Sequence, residues 1–344
     1  MRQEEKSLIR RILSVLVAVA LLATMSFAQN QLNGAGATFP YPIYSKWFSE
    51  FRKVRSDVQI NYQSIGSGGG IRQVIAGTVD FGATDGPMTD DQLGQAKRKV
   101  LHIPTVLGAV VPAYNLPALK GTELKFTPQI LAEIFLGKIT TWNHDAIKAA
   151  NPGVNLPSDN IVVVHRSDGS GTTFVFTDYL SKVSPEWKSR VGAKTSVSWP
   201  VGLGAKGNEG VAGMIRQMPG AIGYIELVYA VQNKIPFGSV KNEAGNFVKP
   251  TLETTSAAAA GLKNMPADFR VSITNSPGKN AYPIASFTWL LIPEQSKDPN
   301  KGKVLKEFLT WMLNDGQKIA PQLHYAPLPG DVRSKVTAAI ASVR

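Results

Sequence analysis

Hydrophobic positions along the chain change period again and again, from helical spacing to alternation and back. "PIYSKWFSEFRK", residues 42–53, sets Ile43, Trp47, Phe48 and Phe51 on one helical face, and Pro40 and Pro42 stand near its start, where a missing N–H costs nothing. "VQINYQSIG" then reads as a strand, "GGGIRQVIAG" as a short helix and "VDFGATD" as another strand. Farther along, "VLGAVVPAY" and "NIVVV" are strands, the stretch after Gly171 a helix, "GVAGMIRQM" a helix and "AIGYIEL" a strand. Near the end, "SFTWLLIP" predicts a strand and "KVLKEFLTWML" a strong helix, while the Ala- and Thr-rich "TLETTSAAAAGLKNMPADFR" predicts a surface helix and loop. Alternation of this kind predicts α/β architecture, with two sheets wrapped by helices. At 344 residues, 43% of them hydrophobic, the chain is long enough for two domains or lobes.

Residues 1–28 have a different character. Arg10 and Arg11 precede the apolar run "ILSVLVAVALLA", and "SFA" closes it with a small-x-small pattern, so a signal peptide cleaved after Ala28 is expected. The apolar run is short for a membrane anchor, which needs about 20 residues. The chain has no cysteine, so a lipid anchor on a cysteine, a disulfide and a thiolate metal site are all excluded. An exported, periplasmic, monomeric protein without a lipid anchor follows as the expectation.

Loss of the first 28 residues removes four basic and two acidic side chains, taking the formal charge from +12 to +10. A balance this basic suits nucleic acid, an anionic surface or small anions. The basic residues are scattered, however, and the one tight cluster, Lys97–Lys99, lacks interleaved aromatics. That pattern argues for a solvated face and against nucleic-acid binding.

Three joints share one design. "GAGATFP" precedes the first helix, "SIGSGGG" opens the second, and "RSDGSGTTF" opens the helix after "IVVV". Each brings glycine together with Ser or Thr where a helix begins. Helix N-termini leave N–H groups unpaired and carry partial positive charge, glycine lets the backbone approach a ligand, and hydroxyls add donors. One such loop can be an ordinary cap and turn. Three together, with Arg166, describe an oxyanion site.

Other chemistries fit poorly. "GSGTT" lacks the P-loop lysine, and the dinucleotide fingerprint fails because Ile71 stands where a third glycine is required after Gly66 and Gly68. His102, His144, His165 and His324 are scattered, which gives no metal motif and no cofactor expectation. A serine hydrolase built on Ser167 or Ser170 with His165 and Asp168 is the rival from another class, but Gly-x-Ser-x-Gly is absent.

The ordered motifs "GAGATFPYPIYSKW", "YQSIGSGGG", "FGATDGPM", "RSDGSGTTFVFTDYL", "GNEGV" and "GAIGYIE" resemble those of the periplasmic phosphate-binding proteins that feed the phosphate-specific ABC transporter. The likeness runs from about Gly34 to Glu226 and loosens toward the C-terminus. It implies a two-lobed periplasmic binding protein fold of type II, each lobe a central β-sheet flanked by helices, with two hinge crossovers. Lobe I would be residues 29–105 plus 280–344, and lobe II residues 106–279. The ligand would be inorganic phosphate, mono- or dibasic, held in the interlobe cleft and handed to the transmembrane permease subunits. Carried over by position, the binding residues would be Thr38, the backbone N–H of Phe39, Ser67, Asp85, Arg166, Ser170, Gly171 and Thr172, with Asp168 orienting the guanidinium.

Asp85 is the most informative of these. An ionised carboxylate only accepts hydrogen bonds, so it requires a ligand that still carries a proton, as phosphate does near neutral pH and sulfate does not. A desolvated site built on such a bond can reject the analogue that lacks it by roughly 10⁴- to 10⁵-fold. A receptor for sulfate or molybdate, and an enzyme acting on phosphate esters, are the alternatives.

Overall fold

The computed structural model describes residues 30–262 and 264–344. The expected signal peptide, residues 1–28, lies outside the described residues. The chain runs through β1 (Asn30–Gly36), β2 (Val58–Ser64), β3 (Phe81–Thr84), β4 (Val100–Tyr114), β5 (Lys125–Phe126), β6 (Val162–Arg166), β7 (Leu203–Ala205), β8 (Ala221–Glu226), β9 (Ser239–Lys241), β10 (Phe247–Val248) and β11 (Ala285–Pro293). The longer helices are α1 (Tyr41–Val54), α2 (Ser67–Ala76), α3 (Pro128–Phe135), α4 (Gly171–Val183), α5 (Gly207–Gln217), α6 (Leu252–Ala260), α7 (Pro299–Trp311) and α8 (Gly330–Ala341).

The strands do not separate into two equal sheets. Eight of them form one mixed ladder in the order β2-β1-β3-β11-β4-β8-β6-β7, and β10-β9-β5 form a small second sheet. One strand makes this continuity possible. The 15 residues of β4 pair antiparallel with β11 along Val100–Ala109 and with β8 along Val110–Tyr114. The strand expected at "VLGAVVPAY", from Val106, starts six residues earlier, at Val100. Pro104 has no N–H to give the ladder, and the β11 register slips there, Thr288 facing Val106 and Trp289 facing Pro104. Thr105 is left outside the register, and its hydroxyl donates to the Thr288 carbonyl at 3.1 Å.

The ladder has two parallel groups, β2-β1-β3 and β8-β6-β7, each covered by helices that follow its strands. Each group has its own aromatic core. On one side Phe48, Tyr62, Phe81 and Phe308 pack together, α1 contributing the helical face of Ile43, Trp47 and Phe51. On the other, Phe135, Phe176, Trp199 and Tyr224 form a stacked cluster. In each group the parallel strands run in one direction, so their C-terminal ends present neighbouring loops. In open α/β sheets that is where ligands bind.

Candidate functional site

Five loops at strand C-termini supply the site. Thr38 and Phe39 follow β1, Ser67 follows β2, Asp85 follows β3, Arg166 ends β6 and leads into Ser170–Thr172, and Asn208 opens α5 just after β7. The side chains of Thr38, Ser67, Asp85, Arg166, Ser170, Thr172 and Asn208 are all buried. Burying that many polar groups is costly unless they satisfy one another or a ligand.

Arg166 is held from one side. Its Nε and Nη2 donate to Asp168 Oδ1 and Oδ2 at 2.7 and 2.5 Å, a two-pronged pair. Asp168 Oδ1 also accepts from the N–H of Gly207 at 3.1 Å. Burial pushes the Asp168 carboxyl up, but the guanidinium and the Gly207 N–H outweigh it and hold the group below its ordinary range. With Nε and Nη2 committed, Nη1 turns to the hydroxyls of Thr38, at 3.2 Å, and Thr172, at 3.5 Å. The two-pronged pair with Asp168 thus fixes the guanidinium plane.

Ser67 Oγ accepts from the N–H of Gly171 at 3.0 Å and from the N–H of Asp85 at 3.2 Å, joining three of the expected residues at one atom. Gly171 cannot be anything larger: a Cβ there would stand 2.5 Å from Asp85 Oδ2 and would also strike Ser67 Oγ. Ser170 caps α4, accepting from the N–H of Thr173 at 3.0 Å, which leaves its hydroxyl hydrogen to be used elsewhere. The ring of Phe39 packs in the core and its carbonyl accepts from the Tyr325 hydroxyl at 2.6 Å, so only its N–H is available for a ligand.

Asp85 is 1% exposed. Its Oδ1 accepts from the Thr288 hydroxyl at 2.8 Å, while Oδ2 has no hydrogen-bond partner among the described residues. Burial lifts the carboxyl to about 7, against the opposing pull of Thr288, Arg166 and Ser67. A second carboxyl, Glu226 at the end of β8, is fully buried and likewise raised by burial; its Oε2 accepts from the N–H of Val228.

A profile described as "PBP superfamily domain" matches residues 23–316. The phosphate-binding protein PstS of Haemophilus influenzae is 48% identical over 320 residues, covering 92% of this chain and 95% of that protein. That of Xylella fastidiosa is 47% identical over 313 residues, 91% of this chain and 85% of its own length. The chain belongs to the PstS family of the PBP superfamily. Solved structures give the fold independently. A phosphate ABC transporter substrate-binding protein from Clostridium perfringens with bound phosphate superposes with a TM-score of 0.64 at 19% identity, covering 87% of this chain and all of the other. The periplasmic phosphate-binding protein PfluDING, bound with phosphate, gives 0.72 at 22% identity, covering 90% of this chain and 93% of the other. The two-lobed α/β fold expected from the motifs is therefore that of this PstS-family chain.

Two participants escaped the sequence reading. Asn208 lies in "GNEGV", quoted above for resemblance alone; its Nδ2 donates to Thr38 Oγ1 at 2.8 Å and to Thr172 Oγ1 at 3.0 Å. Its signal was a polar residue behind a glycine at a helix start, indistinguishable there from a cap. Tyr229, three residues past β8, donates to the Thr38 carbonyl at 2.5 Å. An aromatic residue in an apolar helix gives no hint of that bond. His165, a member of the hydrolase alternative, stacks on Trp199 with ring centroids 4.9 Å apart and sets Nδ1 3.1 Å from its neighbour's carbonyl, Arg166 O.

Proposed function

We propose that this chain captures inorganic phosphate between its two lobes and delivers it to the membrane permease of an ABC importer, acting as a periplasmic receptor without enzymatic activity. The observation that carries the reading is Asp85: a dry carboxylate with one oxygen unpartnered among the described residues, set beside the N-terminus of α4 and within the field of Arg166. Donors from Thr38, Ser67, Ser170, Thr172, Arg166 and the N–H groups of Phe39 and Gly171 suit an oxyanion, and the acceptor Asp85 suits one that retains a proton. Sulfate and molybdate would meet Asp85 oxygen to oxygen. An ester hydrolase would need an activated nucleophile, and among the described residues His165 makes no hydrogen bond to a serine; its Nδ1 sits 3.1 Å from the Arg166 carbonyl.

The donors come from both proposed lobes, residues 29–105 plus 280–344 and residues 106–279. Neither lobe alone can surround the ligand, so phosphate favours the closed form, and the permease reads closure as occupancy. On this division the chain crosses between lobes within β4, the strand that pairs with both β11 and β8, and again just before β11. The replacement Asp85→Asn tests the assignment. It keeps the shape and can donate as well as accept, so sulfate should begin to compete with phosphate while phosphate affinity falls less than the discrimination does. A variant that still excludes sulfate as completely as the parent would show that the carboxylate is not the sensor.

A further inference from the structure

We propose that Asn208 sets the hydrogen-bond polarity of the pocket: it fills the acceptor positions of the Thr38 and Thr172 hydroxyls, so that each has its one hydrogen left for the ligand. This deepens the phosphate reading above and rests on it.

A hydroxyl is ambiguous, since it gives one hydrogen and takes two. Whether a pocket lined with threonines favours an anion depends on what else those oxygens touch. The orientation of the Asn208 amide is fixed by the backbone, because the N–H of Glu226 donates to Oδ1 at 3.0 Å. The opposite flip would set two donors face to face. Nδ2 is therefore the end that meets the threonines, and it divides its two hydrogens between Thr38 Oγ1 and Thr172 Oγ1. The backbone N–H of Asn208 and Arg166 Nη1, each 3.2 Å from Thr38 Oγ1, share the lone pair that Nδ2 leaves there, and Arg166 Nη1 lies 3.5 Å from Thr172 Oγ1. Among the described residues both oxygens meet donors only, and neither hydroxyl hydrogen has an acceptor in the protein. Asn208 itself is fully buried, so water does not compete for these bonds.

The consequence is a pocket whose donor and acceptor pattern, once the lobes meet, is set by the protein's own groups. Two hydroxyls that could present lone pairs are confined to giving hydrogen, and Asp85 remains the acceptor. A ligand is then read by how many protons it carries. Asn208 acts through Thr38 and Thr172, and is a positioning residue.

Asn208→Asp reverses the pattern with almost no change of shape. Its Oδ1 still accepts from Glu226, but the second oxygen can only accept, so it draws the threonine hydrogens away and turns their lone pairs to the ligand. Losing hydrogen bonds to a charged group should weaken phosphate binding by about 100-fold. In millimolar phosphate at pH 8, the ³¹P resonance of the bound ligand should move from the dibasic toward the monobasic position. A second comparison removes the effect of added charge. Asn208→Ala, Thr172→Val and the double variant are titrated with phosphate by calorimetry, and the penalty for losing Asn208 should shrink severalfold once the Thr172 hydroxyl is gone. An unchanged ³¹P position in Asn208→Asp, or losses that simply multiply across the cycle, would overturn the proposal. A parent protein that takes up no phosphate would instead sink the phosphate reading, and this role with it.

Discussion

Two tyrosines reach two consecutive carbonyls in the loop after β1, and comparing them isolates one component of binding. Tyr229 donates to the Thr38 carbonyl at 2.5 Å, Tyr325 to the Phe39 carbonyl at 2.6 Å. The Thr38–Phe39 peptide carries the N–H expected on the ligand, and a hydrogen bond to its carbonyl polarises that N–H. The Phe39–Pro40 peptide has no N–H at all. In the proposed division Tyr229 lies in lobe II and Thr38 in lobe I, so this bond forms on closure, whereas Tyr325 shares lobe I with Phe39 and reaches lobe II only through a longer 3.3 Å contact to Glu226 Oε2. A neutral hydrogen bond contributes about 1 kcal/mol net, and the Thr38 carbonyl keeps a second partner in the N–H of Tyr41 at 3.2 Å, so Tyr229→Phe leaves no orphaned group. The expected outcome is about fivefold weaker phosphate binding in Tyr229→Phe, through faster dissociation. Tyr325→Phe should lose comparable thermal stability but stay within about twofold of the parent in affinity. Calorimetry and stopped-flow release on the two variants provide the assay. Equal losses in both, or no loss in Tyr229→Phe, would refute polarisation and latching by Tyr229.

Other outcomes follow from the same geometry. Gly171→Ala places a methyl against Asp85 Oδ2 and Ser67 Oγ, so it should hold the cleft open; small-angle scattering with phosphate should then match scattering without it, and compaction like that of the parent would contradict this. Burial raises Asp85 to about 7, so its contribution to folded-state stability is complete below the ordinary carboxylate range near 4 and is lost as pH climbs through 7. The unliganded protein should therefore melt at a lower temperature at pH 8 than at pH 5.5, and Asp85→Asn should flatten part of that slope; Glu226, also raised by burial, contributes in the same direction. An identical slope in the variant would mean that Asp85 does not titrate in the folded state.

Much of this was legible in the residues, for physical reasons. The three Gly-Ser/Thr joints could be read because glycine and hydroxyls at a helix start have few purposes, and strands such as β6 and β11 because each holds a short apolar run, "VVV" and "WLLI". The first half of β4 was hidden by Pro104, which looks like a strand end until the β11 register slip is seen. Strands of two or three residues, β5, β7, β9 and β10, are too short for any period to register. Asn208 and Tyr229 were invisible because the Thr38 they both reach lies 170 and 191 residues away, and local chemistry cannot report a bond of that span. Their neighbours in sequence look like an ordinary helix start and an ordinary apolar helix.

The central claim is that a dry pocket of oriented donors recognises its ligand by the proton that Asp85 can accept. Its most direct measurement is calorimetric titration of the chain, freed of residues 1–28, with phosphate and then with sulfate at pH 7.5. The account predicts saturable phosphate binding at one site per chain, undisturbed by a thousandfold excess of sulfate, about a tenth or less of the discrimination such a bond allows. Sulfate that binds comparably, or displaces phosphate at equal concentration, would contradict it.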